Sequence, residues 1–172
     1  ELSNSIASML FVVNGAMVIT LQLWVTSKMV RFRRSLVLMT GQLIVAGGFS
    51  LIFFANDLLS LVACIVVITI GELIYMSIVS AIIADMSPDA ERGLYMGFSG
   101  FVQSLGIGAG FFVGMLLLDV LPEARYIWFI FGMIGAVGSL GYILLGRMLG
   151  PERNLPKYQP EIIQLTPLPL EK

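Results

Sequence analysis

No histidine occurs in this sequence, cysteine occurs once, and only 12% of the 172 residues are charged. Each shortage removes a class of function. Without histidine there is no imidazole base, no histidine proton relay and none of the commonest metal ligand. A lone Cys64 closes no intrachain disulfide and builds no cysteine metal cluster. Inside its apolar run it reads as a small packing residue. The net charge is −1, and no basic stretch is long enough to follow a phosphate backbone, so no nucleic-acid partner is expected. No nucleophile–base pair, paired carboxylates or ligand cluster stands out. The chain is therefore not expected to be an enzyme, and no catalytic residue, metal or cofactor is assigned.

What remains is apolar. Hydrophobic residues make up 58% of the chain, and the mean hydropathy is +0.94. A soluble domain is about 45–50% apolar and about 25% charged, so this chain is expected in a lipid bilayer. Charge-free runs cover residues 2–27, 35–56, 93–118 and 126–146, and a fifth, 58–84, is broken only by Glu72. About 20 apolar residues cross a hydrocarbon core of about 30 Å as a helix. A barrel strand would instead alternate apolar and polar residues over about 10 positions, and no such alternation is present. The reading is an all-α membrane protein with five transmembrane helices, at about 3–27, 35–56, 58–84, 93–118 and 126–147. Short connectors, with Pro88 and Pro122 as breakers, make neighbours antiparallel. Residues 149–172 carry five prolines and mixed charge and read as a polar tail.

Orientation follows from Lys and Arg. With alternating sides, nine of the ten fall on one side: Lys28, Arg31, Arg33, Arg34, Arg92, Arg147, Arg153, Lys157 and Lys172. Arg125 falls alone on the other. The positive-inside rule makes the first side, with the C-terminus, cytoplasmic. Glu1 is then external. Five spans, an external start and no initial Met create the expectation of an odd number of helices upstream.

Within the spans, Glu72 is the one deeply placed charge. An ionised side chain there costs about 3 kcal/mol on insertion scales. Either it is held protonated or it faces a polar cavity or a basic partner. Thr69 and Tyr75 lie three residues to either side, on roughly the same helix face. Asn14, Gln22, Gln42 and Gln103 are uncharged polar residues that can tie helices together or bind a substrate. A transporter needs Glu72, Asn14 and Gln103 to face one shared cavity, whereas a scaffold would let them point at different neighbours. Gly106, Gly110 and Gly114 are spaced by four on the fourth span and suit close helix packing or a rocking interface. Gly132, Gly135, Ala136, Gly138 and Ser139 repeat the theme on the fifth. The basic loop is a topology determinant or, with Asp85 as an acidic partner, a gate.

Several stretches together resemble the second half of the major facilitator superfamily, over about residues 5–148. Residues 10–22 (LFVVNGAMVITLQ) are similar to the eighth helix of drug-exporter-type members. Residues 30–34 (VRFRR) resemble the family's basic loop, keeping Arg31 and Arg34. Thr26, Val30 and Arg33 stand where the family has Gly, Asp and Gly. Ile70-Gly71-Glu72 precedes residues 84–97 (ADMSPDAERGLYMG), which are similar to the loop between helices ten and eleven. Gly97, Gly106, Gly110 and Gly114 match four spacings of the family's antiporter glycine pattern. Phe111 and Met115 replace its Pro and last Gly.

The resemblance implies helices eight to twelve of a twelve-helix carrier in a cell (plasma or inner) membrane. It implies proton-coupled export of small amphipathic molecules or drugs by alternating access, driven by the proton gradient without a cofactor. Glu72, Asn14 and Gln103 would form the substrate or proton pathway. Gly97, Gly106, Gly110 and Gly114 would pack helices, and Arg31, Arg34, Asp85 and Arg92 would serve the cytoplasmic loop or gate. The implied partners are the lipid bilayer, the N-terminal half of the same carrier and a small-molecule substrate. A carrier for a defined metabolite, in either direction, and a non-transporting scaffold or sensor with this fold are the alternatives.

Overall fold

The computed structural model describes residues 2–29, 31–148 and 154. Five long helices follow one another: α1 (Leu2–Met29), α2 (Arg34–Ile52), α3 (Leu58–Met86), α4 (Arg92–Val120) and α5 (Arg125–Met148). A single 3₁₀ turn, Asp89–Glu91, precedes α4. No strand occurs among the described residues. At a rise of about 1.5 Å per residue, the 19 residues of α2 reach about 28 Å and the 29 of α3 about 43 Å. All five are long and apolar enough to cross a bilayer. Large side chains such as Phe11 (79% exposed), Leu23 (84%) and Phe111 (74%) stand on the outer surface. Apolar exposure on this scale suits contact with lipid tails.

α2 is the hub. It packs along α3 on one side and α5 on the other, while α1 packs on α3 and α4 touches α3 and α5 only sparsely. Close approach is bought with glycine. A Cβ at Gly71 would lie 2.7 Å from the Val45 nitrogen and 2.8 Å from the Gly41 carbonyl oxygen. At Gly41 it would lie 2.9 Å from the Tyr75 nitrogen. Glycine in both helices therefore lets α2 and α3 meet backbone to backbone. On the other side, a Cβ at Gly132 would lie 2.7 Å from the Ala46 carbonyl oxygen, and one at Gly135 would lie 3.2 Å from the Ala46 Cβ. Val37, Leu38 and Ile78 form the buried centre, with Ile74, Val79, Tyr142 and Leu145 packed around it.

α2 ends at Ile52, four residues short of the charge-free run that suggests it. The turn after it is as apolar as the helix, so run length cannot mark the boundary. Phe53 leaves the helix to pack its ring on Phe54 (5.0 Å between centroids), Tyr126 (5.3 Å) and Phe129 (5.7 Å). Asp57 then caps α3. Its carboxylate accepts from the Ser60 hydroxyl and from the Ser60 backbone N–H at 3.0 Å, and its own N–H donates to the Ser60 hydroxyl oxygen at 3.2 Å. The Ser60 hydroxyl, then its backbone N–H, hold the Asp57 carboxyl below its ordinary value of 3.8.

At the opposite end of α2, Asn154 is the one described residue beyond α5, and it is buried. Its side-chain carbonyl accepts from the Ser35 N–H at 3.0 Å. Its amide donates to the Ser35 hydroxyl at 2.9 Å and to the Gly146 carbonyl at 3.4 Å. One side chain thus satisfies a free donor at the start of α2 and an acceptor near the end of α5. The rest of the segment read as a polar tail lies outside the described residues.

A polar cluster between two helices and a separate side cavity

Glu72 lies near the middle of the Leu58–Asp85 span, 14 residues from its start and 13 from its end (72 − 58 and 85 − 72). Three residues earlier on α3, Thr69 is fully buried. Both face α1, where the Asn14 amide donates to the Thr69 hydroxyl oxygen at 2.8 Å. Glu72, about one turn further along α3, lies beside the same amide. The Thr69 hydroxyl proton goes to the Ile65 carbonyl at 2.8 Å, one turn back. Glu72 is half-buried. Two residues 58 positions apart in sequence, Asn14 and Glu72, therefore share one site in the middle of the bundle.

Further along the same helix pair, Thr26 and Ser77 bring their hydroxyls to 2.9 Å. Ser77 gives its proton to the Leu73 carbonyl at 2.5 Å, which leaves Thr26 as the donor between helices. Tyr75 turns away from Glu72. Its hydroxyl accepts from Tyr142 of α5 at 3.2 Å. α3 is thus fastened by polar groups to α1 on one side and α5 on another, with Glu72 on the α1 side.

Gln103 does not join this cluster. With Gln42 it lines a different cavity of about 910 Å³, walled by α2, α4 and α5. Its apolar wall includes Phe49 and Trp128, whose rings stack at 5.8 Å and 9°. Gly106, Gly110 and Gly114 line this cavity. A Cβ at Gly97, Gly106 or Gly110 would meet nothing within 4 Å among the described residues, and one at Gly114 would meet only the Phe131 ring at 3.7 Å. The close helix approaches lie at Gly41, Gly71, Gly132 and Gly135 instead.

At the basic end, Arg34 of α2 and Asp85 of α3 form an ion pair, with the Arg34 side chain 10% exposed. Arg92 pairs with Asp89 of its own turn at 2.8 Å, and Arg31 is exposed in the first connector. The structure thus joins two of the four residues named for this end. Asn154 and Ser35 are the additional polar tie here. Nothing in the sequence pattern marks them, because an asparagine beyond a helix in a proline-rich stretch has no periodic neighbour.

Five apolar helices with a polar cluster at mid-span define a multi-pass membrane protein. The family model of the Major Facilitator Superfamily matches residues 1–170. The chain therefore belongs to that superfamily of secondary transporters. No match was found among curated proteins or among solved structures.

Proposed function

We propose that the chain contributes helices eight to twelve of a drug-exporter-type carrier. In this reading it exports small amphipathic molecules against an inward flow of protons by alternating access. The observation that carries the proposal is Glu72. It is a lone carboxyl at mid-span, beside an uncharged amide from another helix rather than a cation. Ionised and unpaired it is costly; protonated it is tolerated; passing between these states, it couples to a gradient. The Arg34–Asp85 pair ties α2 to α3 at the end that the charge bias makes cytoplasmic, so it is placed to act as a gate. The open glycine face of α4 offers a surface for the N-terminal half of the carrier. The membrane is the plasma or inner membrane, the partners are lipid and a small molecule, and the proton gradient replaces any cofactor.

Glu72→Gln tests the reading, because it keeps shape and hydrogen bonding but cannot ionise. In the full carrier it is expected to insert normally and to lose gradient-driven transport, while Glu72→Asp keeps part of it. Transport of a panel of lipophilic dyes and polar metabolites into inverted vesicles would show this. An unchanged rate and pH profile in the Gln variant would remove Glu72 from coupling. Selective transport of one polar metabolite would favour a dedicated carrier. One observation favours a non-transporting scaffold or sensor: Gln103 lines a cavity in which Asn14 and Glu72 take no part. The absence of transport for every compound in both wild type and variant would support it.

A further inference from the structure

The cavity walled by α2, α4 and α5 stands apart from the Glu72 cluster, since α3 contributes no residue to its lining. Its volume of about 910 Å³ falls in the range of about 300–1,000 Å³ that suits a small organic molecule. Among the described residues, no charged and no hydroxyl side chain lines it. Its polar side-chain groups are the amides of Gln42 and Gln103 and the indole N–H of Trp128. None of these has a hydrogen-bond partner among the described residues. Gln42 lies 8 residues from the start of α2 and Gln103 lies 11 from the start of α4 (42 − 34 and 103 − 92). The two helices run in the same direction. At about 1.5 Å per residue, the amides therefore sit about 12 and 17 Å from one end, inside a hydrocarbon core of about 30 Å. An amide without a partner is costly there, because lipid tails offer neither donor nor acceptor. The head of Gln42 reaches α5, where its amide nitrogen would lie 3.2 Å from a Cβ at Gly135. Phe49 and Trp128 stack nearby, 5.8 Å apart with 9° between their planes.

We infer that this cavity binds an uncharged, flat aromatic molecule that carries an amide-like group. Each property is selected by a different feature. The parallel faces of Phe49 and Trp128 are extended by one more ring. Gln42 and Gln103 each offer a donor and an acceptor, so a ligand group with both can serve either amide. A wall without charge gives an ion nothing to offset its desolvation, whatever its sign. A phospholipid tail would fill apolar space but leave both amides unpartnered. The bound molecule would also bridge Gln103 of the loosely attached α4 to Gln42 of α2. The site does not include Glu72, so the inference goes beyond the reading of Glu72 as the coupling group and does not depend on it.

Photolabelling of the full carrier in lipid vesicles tests the inference. The reagents are three benzophenones of similar size. Para-benzoylbenzamide is neutral and carries an amide, para-methylbenzophenone lacks the amide, and para-benzoylbenzyl trimethylammonium is a cation. Labelled peptides are located by mass spectrometry after irradiation. The amide reagent is expected to label the cavity, including Met115, and to saturate at about tenfold lower concentration than the other two. Gln42→Leu and Gln103→Leu should each raise its half-saturating concentration by about tenfold, the scale of one hydrogen bond. Should Gln42→Leu fail to insert, Gln103→Leu carries the same test. Gly106→Leu should abolish saturable labelling, because a Cβ there meets nothing within 4 Å and the new side chain occupies the cavity. Gln22→Leu removes an amide outside the lining and should change nothing, and neither should Glu72→Gln, whatever it does to transport. Equal labelling by all three reagents, indifferent to both Gln42→Leu and Gln103→Leu, would overturn the inference in favour of a space filled by lipid tails. Preference for the cation would overturn it too. So would a lack of saturable labelling in wild type, the result expected if the N-terminal half of the carrier fills the cavity.

Discussion

The side chains that matter most here are the ones that are missing. At Gly71 any side chain would press its Cβ on the Val45 nitrogen and the Gly41 carbonyl oxygen. These are backbone atoms in a neighbouring helix, which cannot swing aside as a side-chain tip can. Gly71→Leu should therefore cost about 1–3 kcal/mol or more and reduce the fraction of folded protein. Gly138, where a Cβ meets nothing within 4 Å, supplies the control. Gly138→Leu should stay near wild type in the same thermal assay of detergent-solubilised protein. Equal loss in both variants would show that the α2–α3 contact is not the constraint. The sequence displays 18 glycines, and spacing alone favours the regular set on α4, whereas the tight contacts fall at Gly71 and Gly41. Spacing places residues on a common face; it does not say what stands opposite. The same limit explains Gln103, which is as polar as Asn14 but lines a cavity away from it. Glu72 was legible because a charge in an apolar run is conspicuous whatever surrounds it. Its nearness to Asn14 could be expected only from the family resemblance, because helix periodicity carries no information between positions 58 apart in the chain (72 − 14).

Helices were legible for a different reason. Each connector carries charge, so charge-free runs mark the spans. The rule fails where a connector contains its own aromatic cluster, as at Phe53 and Phe54, and there α2 ends early. Element ends also depend on caps, and one of them comes from far along the chain. Asn154 holds the Ser35 N–H and the Gly146 carbonyl together, joining the start of α2 to the end of α5. Asn154→Ala leaves a buried donor without its partner, a loss of about 1–3 kcal/mol. Amide hydrogen exchange at Ser35 should accelerate by about tenfold or more, since about 1.4 kcal/mol is a factor of ten. Asn154→Asp keeps an acceptor for Ser35 but loses the donor to Gly146, and should fall between the two. Unchanged exchange at Ser35 in the Ala variant would mean that water caps the helix equally well.

At the scale of the whole molecule, α2, α3 and α5 form a close-packed trio, with α1 fastened to it by two polar ties and α4 attached more loosely. The two ends of this assembly differ in charge, and that difference predicts its sidedness. In a Cys64→Ser background, single cysteines at positions 31, 92 and 147 should react with a membrane-impermeant thiol reagent only from the cytoplasmic side. Cysteines at 57 and 125 should react only from outside. Labelling of position 92 on intact cells would reverse or break the arrangement. The class of architecture could be read from hydropathy because lipid demands it of every span. The grouping of helices could not, because each span is apolar on all sides and offers no single face to pair. The loose attachment of α4 has a consequence for how the protein is made. None of its residues is buried, so contacts with the other four helices contribute little to keeping it in the bilayer. When α4 leaves the ribosome, its entry into lipid has to be driven by its own partition free energy, to which apolar residues each contribute a few tenths of a kcal/mol and a central charge would oppose about 3. α3, by contrast, enters with Glu72 at its centre and finds α1 and α2 already synthesised to receive it. Substitutions that add charge to the middle of α4 should thus act at synthesis, before any question of transport arises.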